Sequence, residues 1–155
     1  GTPPCASSVV DRPDMATASA AADGIAGHSY RGSLAVKAYE AAGIGPEDVD
    51  FAEVYDLSTA LELDWIEDLQ LAQRGEAAKL LRQGDTSVGG KMPVNASGGL
   101  ACFGEAVPAQ AIAQICELTW QLRGQAGDRQ IDGAKVGITA NQGLFGHGSS
   151  VIVRR

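Results

Sequence analysis

Tyr55 and Glu105 are the residues whose types and surroundings best suit chemistry on a carbonyl compound. Tyr55 closes the run Phe51–Tyr55 (FAEVY), which alternates apolar and polar residues and reads as a strand, and a helix start follows it. Strand ends beside helix starts are where α/β domains gather site residues. A phenol there can donate a hydrogen bond or a proton to a carbonyl or alkoxide. Its plainer use is as a half-buried tyrosine with its hydroxyl bonded nearby. Glu105 follows a glycine-rich run and opens a helix, where a carboxylate complements the dipole. In an apolar pocket its pKa would rise and it would serve as a general acid or base. Otherwise it is a simple N-terminal cap.

The chain is organised around the stretch Gly89–Leu122, GGKMPVNASGGLACFGEAVPAQAIAQICELTWQL, which contains Glu105. Five glycines lie between Gly89 and Gly104, with Asn95 and Ser97 among them. Such a run either wraps a ligand or lets a loop pack tightly on a sheet. Behind it, Ala111, Ile115, Leu118 and Leu122 repeat at helical spacing, and this face is expected to meet the core. A glycine loop feeding a helix N-terminus offers unpaired N–H groups to an anion or a developing oxyanion.

The remaining elements follow from pattern. Residues 1–27 are rich in Ala, Ser, Pro, Gly and Asp and read as irregular, with a short strand near Ser7–Val10 and a turn of helix near Ala16–Ala22. The first firm helix is His28–Ala42, with Leu34, Ala38 and Ala41 inward and Gly43 as its stop. Gly45–Asp48 is a turn. A second helix runs from Asp56–Thr59 to about Gln73, with Leu61, Trp65, Leu69 and Ala72 on one side. Asp56 is its expected cap, and Thr59 with Glu62 fits a capping box. Gly75–Gln83 is helical. Val88–Asn95 is a strand demoted to an edge by Pro93. Lys135–Ala140 and Ser149–Val153 form an antiparallel hairpin around the glycine loop Gly143–Gly148. The expected fold is a layered α/β domain with a mixed sheet, occupying residues 28–155.

Composition narrows the function classes. The 155 residues are 45% hydrophobic and 20% charged, enough for one domain with a sizeable core. Aromatics are only 5%, so Ala, Val, Ile and Leu must fill it. A net charge of −7 without a basic cluster argues against a nucleic-acid partner. No apolar run reaches membrane-spanning length, and no metal-ligand spacing is present. Cys5, Cys102 and Cys116 are odd in number and widely spaced, which suggests reduced thiols in a cytoplasmic protein, with Cys116 buried and inert. Gly1-Thr2-Pro3-Pro4 is neither an initiator Met nor a targeting peptide, so the chain reads as a piece of something longer.

Three spaced motifs carry a resemblance: AYEAAGIGPEDVDFAEVYD, GDTSVGGKMPVNASGGL, and AQICELTWQLRGQAG with RQIDGAKVGITAN. Over about residues 30–155 they resemble the C-terminal half of a thiolase-superfamily protein of the sterol-carrier-protein-x, or nonspecific lipid-transfer, branch. The resemblance implies a βαβαβαββ half with a five-stranded-type mixed sheet flanked by helices. It also implies an N-terminal half carrying the nucleophilic cysteine, a homodimer, and an acyl-CoA thioester as substrate with no separate cofactor. Asn95, Ser97, Gly98 and Gly99 match the family's Asn-x-Ser-Gly-Gly and would shape the loop against the thioester. Asn141 would orient the last glycine loop, and His147 lies in that loop, which in the family reaches the active site.

The sequence departs from the family at two catalytic places. Tyr55, Asp56, Leu57 and Ser58 stand where this branch has His-Asp-Cys-Phe, and leucine cannot shuttle a proton. Gly104, Glu105 and Ala106 stand where thiolases have Gly-His-Pro, and a carboxylate would repel an oxyanion unless protonated. The resemblance therefore points to altered carbon–carbon chemistry of the retro-aldol type, as in thiolase-like steroid side-chain aldolases that work with a small OB-fold partner. The alternatives are a non-catalytic acyl-CoA or lipid-binding protein, an ordinary acyl-CoA acyltransferase, or a domain that serves only dimerisation.

Overall fold

The structure is a computed structural model and describes residues 7–11, 30–106, 109–143 and 148–155. His147 and the helical turn expected at Ala16–Ala22 lie outside the described residues. The elements are β1 (Ser7–Asp11), α1 (Tyr30–Ala42), β2 (Phe51–Val54), α2 (Thr59–Asp68), α3 (Ala77–Gln83), α4 (Gly99–Phe103), α5 (Ala109–Arg123), β3 (Val136–Gln142) and β4 (Gly148–Arg154).

The four strands form one mixed sheet in the order β1-β4-β3-β2. β2 runs parallel to β3, with Phe51 opposite Gly137 and Val54 opposite Ala140. β4 is antiparallel to both β3 and β1, so the expected hairpin is present and the strand near Ser7–Val10 is part of the sheet. The strand expected at Val88–Asn95 is not formed. Only Val94 pairs, as a single parallel bridge to Ala52. The Ala52 N–H donates to the Pro93 carbonyl at 3.0 Å and the Asn95 N–H to the Ala52 carbonyl at 2.9 Å. Asn95 then takes a left-handed φ of 54°, which turns the chain off the sheet edge. The path is therefore βαβαβαββ with its third strand cut to one bridge.

Helix limits also shift. α1 buries Leu34, Ala35, Ala38 and Tyr39 and leaves Ala41 exposed, so its inner face is turned by one residue from the expected stripe. α2 stops at Asp68 instead of reaching Gln73, because Gln70 adopts φ 60° and breaks the ladder. Its cap is Ser58, whose hydroxyl accepts from the Leu61 N–H at 3.3 Å; neither Asp56 nor a Thr59–Glu62 box does that work.

The sheet is covered on both sides. Ala52, Val54, Ile138, Ala140 and Ile152 pack with α1 and α2, including Trp65 and Ile66, in the larger apolar cluster. Phe51, Val151 and Val153 pack with Leu118 and Leu122 of α5 in a smaller one. Gly137 makes this second contact close. A Cβ there would come within 2.6 Å of the Phe51 ring and 2.9 Å of Leu118. α5 departs most from expectation. Leu118 and Leu122 are buried, but Ala111 and Ile115 are only half-buried, and Gln110, Gln114, Glu117 and Gln121 complete the buried face. Cys116 is half-buried, not buried. Among the described residues no helix is long and apolar enough to cross a membrane.

Candidate functional site

Four consecutive residues at the end of β2 hold one loop. Backbone extension sends Glu53 and Val54 to opposite sides of the sheet and brings Tyr55 and Asp56 past its edge. Each then meets the segment Asn95–Glu105. The Val54 N–H donates to Asn95 Oδ1 at 2.8 Å. Glu53 accepts from the Ser97 N–H at 3.1 Å and from Ser97 Oγ at 2.5 Å. Asp56 Oδ1 accepts from the Leu100 N–H at 2.8 Å. Tyr55 Oη donates to Glu105 Oε1, a contact that closes 50 residues of chain.

The glycine loop folds around these anchors. Ser97 Oγ accepts from the Gly99 N–H at 3.1 Å, and the Gly98 N–H donates to the Asn95 carbonyl at 2.9 Å. Gly99 has φ +60°, and a Cβ on it would lie 2.1 Å from Asp56 Oδ2. Only glycine lets the backbone approach that carboxylate. The loop therefore runs into the short helix α4, not directly into α5 as expected. Gly104, Glu105 and Ala106 bridge the two helices, and the Gln110 N–H of α5 donates to the Ala106 carbonyl at 3.0 Å. Glu105 sits before α5, exposed at the rim instead of in an apolar pocket.

Electrostatics separate the groups. Burial pushes the Tyr55 phenol up to about 12, helped by the hydrogen bond and negative charge of Glu105. It is a proton donor at neutral pH. Burial also lifts Glu53 to about 7, against the two Ser97 donors that favour its charge; Glu117 and Asp56 push it further up. Glu62, whose Oε1 lies 3.5 Å from Asn95 Nδ2, is raised by burial and by Asp56.

The structure thus brings together Tyr55, Glu105, Asn95, Ser97, Gly98 and Gly99. Asn141 stands on β3, buried, with its Nδ2 donating to Gln114 Oε1 at 3.1 Å. No group of His, Cys, Asp and Glu among the described residues could hold a metal ion. Sequence reasoning missed Glu53 and Asp56 as loop anchors. The available signal was an acid inside an apolar strand; the alternation of FAEV suggested a solvent face, whereas all four residues are buried.

A βαβαβαββ half whose glycine loop is clamped against the end of its second strand fits the thiolase architecture. The chain belongs to the thiolase C-terminal domain-like family, which matches residues 7–155. Sterol carrier protein 2 of Rattus norvegicus is 44% identical over 120 residues, covering 77% of this chain and 22% of that protein. An acetyl-CoA acetyltransferase of Methanothermobacter thermautotrophicus is 39% identical over 150 residues, covering 91% of this chain and 39% of the relative. Among solved structures, a chain of the Ltp2-ChsH2(DUF35) aldolase superposes with a TM-score of 0.70 at 28% identity, over 80% of this chain and 31% of that one. The chain spans between a fifth and two fifths of these curated relatives.

Proposed function

We propose that the protein carrying this domain cleaves β-hydroxyacyl-CoA thioesters by a retro-aldol reaction, with Tyr55 and Glu105 as the acting pair. The observation that carries this reading is the contact between Tyr55 Oη and Glu105 Oε1, since it puts a proton donor and a carboxylate within reach of one substrate. Burial keeps the phenol protonated, so the roles divide. Glu105 accepts the β-hydroxyl proton as the carbon–carbon bond breaks, the phenol, released from Glu105, donates a hydrogen bond to the thioester enolate oxygen, and the α-carbon of the enolate takes back the proton that Glu105 accepted. The products are a carbonyl compound and a shortened acyl-CoA. The shape of the loop at Asn95, Ser97, Gly98 and Gly99 suits it to line the thioester, with Asn141 and His147 as further candidates. The likeness to the Ltp2-ChsH2(DUF35) aldolase supports the chemistry and a partner component, which we take to be the small OB-fold protein.

The outward side of α5 bears Ile112 and Trp120, which are 62% and 45% exposed. Exposed apolar residues of this kind suit a covering layer. We assign that layer to the N-terminal half of the same protein, in a cytoplasmic homodimer.

The experiment is a cleavage assay on the full-length protein, with any partner, against β-hydroxyacyl-CoA and 3-ketoacyl-CoA panels. Tyr55→Phe and Glu105→Gln are each expected to lower kcat for β-hydroxyacyl-CoA cleavage by about 10²-fold or more. Thiolysis of 3-ketoacyl-CoA would favour an ordinary acyltransferase, the activity named for the archaeal relative. A second reading, binding without turnover, draws on the mutual satisfaction of Tyr55 and Glu105. It predicts acyl-CoA affinity that neither substitution changes.

A further inference from the structure

We infer that Glu53 is a positioning residue: from inside the sheet it fixes the Ser97–Gly99 turn, and through that turn the α4 segment that carries Glu105 to Tyr55. The inference rests on the reading of Tyr55 and Glu105 as the acting pair. Glu53 is fully buried in β2, and its hydrogen bonds among the described residues go to Ser97, not to Tyr55 or Glu105. Its two oxygens take both donors of one residue, the Ser97 N–H and Oγ–H. That arrangement needs a carboxyl group, which offers two oxygens in either protonation state, because an amide has a single acceptor oxygen and a hydroxyl only one atom. The committed Ser97 hydroxyl leaves a lone pair for the Gly99 N–H, which starts α4. α4 is only five residues long and has no side-chain cap, so its direction depends on such tethers. Glu105 lies two residues past its end. Misplacing a reacting group by about 1 Å can cost on the order of 10²-fold in rate.

The surroundings of Glu53 make the tether sensitive to pH. Facing it are Ser97 from the loop, Glu117 from α5 and Asp56 beyond its own strand, while Arg129 is bound to Glu117 at 2.8 Å. Opening the loop hydrates the carboxylate and returns its pKa toward the ordinary range. Loop protection therefore falls as pH rises toward about 7 and is flat above it.

Hydrogen exchange and steady-state kinetics on the full-length protein test this with Ser97→Ala, Glu53→Ala and Glu53→Gln. Ser97→Ala and Glu53→Ala are expected to speed exchange at Gly99 and Leu100 by about tenfold or more. Glu53→Gln is expected to abolish the pH dependence of Gly99 protection, whereas Leu100 also answers to Asp56. In Glu53→Ala, which leaves the substrate-lining loop residues in place, kcat for β-hydroxyacyl-CoA falls about 10²-fold while KM stays within about threefold. Unchanged exchange in both alanine variants, or a pH dependence of Gly99 protection that survives Glu53→Gln, overturns the inference. So does a KM effect as large as the kcat effect. If Glu53→Ala does not fold, exchange in Ser97→Ala decides. If exchange responds as stated but no variant, nor the parent protein, cleaves the substrate, the retro-aldol reading falls and the anchoring of the loop by Glu53 stands.

Discussion

Ala52, Val54, Ile138, Ala140 and Ile152 look out from one side of the sheet onto Trp65, Ile66 and the inner residues of α1. From the other side, Phe51 meets Leu118 and Leu122, but Glu53, Thr139 and Asn141 share that side with it and face Gln110, Gln114, Glu117 and Gln121 of α5. The same four strands thus carry two kinds of interior. The first is held by removal of apolar area from water, which is tolerant of direction. The second is held by hydrogen bonds, which are directional and costly when broken. The Gln114 amide donates to the Ala140 carbonyl and accepts from Asn141; Gln121 bridges Glu117, the Arg129 carbonyl and the Ile131 N–H. The glycine loop is anchored by Glu53, which belongs to the hydrogen-bonded side. The candidate site is therefore set by the interior that constrains angles, while the fold is stabilised mainly by the one that excludes water.

If that division is right, the largest single loss of stability comes from the apolar side. Trp65 is fully buried, and Arg31 stacks over its ring at 5.2 Å. Trp65→Ala is expected to destabilise the protein by about 3–5 kcal/mol, read from the urea midpoint. Trp65→Phe should recover most of this, because the indole N–H has no partner among the described residues. A small effect of Trp65→Ala would mean that this side is not the main source of stability.

The next effect belongs to the polar side and depends on pH. A carboxyl lifted from 4.5 to about 7 binds its proton more tightly in the folded than in the unfolded protein. Its contribution is complete below the unfolded pKa and is lost as pH rises through the folded one, by about 3 kcal/mol at most. Glu53→Gln should therefore be least favourable relative to the parent at low pH and gain on it as pH approaches 7. A difference between the two proteins that does not vary with pH would show that Glu53 is hydrated in the folded state.

Much of the apolar side was legible in the sequence, because periodicity reports apolar burial. Leu34, Ala38, Trp65 and Leu69 were read inward and are buried. The hairpin of β3 and β4 was equally plain. The polar side was not legible by the same signal. Glutamines at positions 110, 114 and 121 have the pattern of an exposed face, and only their partners on β3 and the Arg129–Ile131 segment make burial tolerable. Those partners lie 8 to 32 residues away in sequence. The Tyr55–Glu105 contact spans 50 residues, so the motifs named both residues without showing that they meet. Asp56 was misread as a helix cap because its true partner, the Leu100 N–H, is 44 residues on.

The finest test of the division compares two glutamines on one helix. Gln114 is satisfied on both ends of its amide. Gln110 has one long bond, Nε2 to the Gln142 carbonyl at 3.5 Å, and its Oε1 has no partner among the described residues. Both are equally buried and four residues apart. Replacing Gln114 by leucine leaves Asn141 Nδ2 without its acceptor and removes a donor from the Ala140 carbonyl, and is expected to cost about 1–3 kcal/mol. Replacing Gln110 by leucine removes an unsatisfied oxygen and adds apolar contact, so the change should lie within about 1 kcal/mol of zero and can be stabilising. Urea midpoints of the two variants decide it. Equal losses would mean that the polar row of α5 resists leucine for its shape alone. Unequal losses in the stated order would mean that completed hydrogen bonds, residue by residue, are what hold this side of the sheet in place.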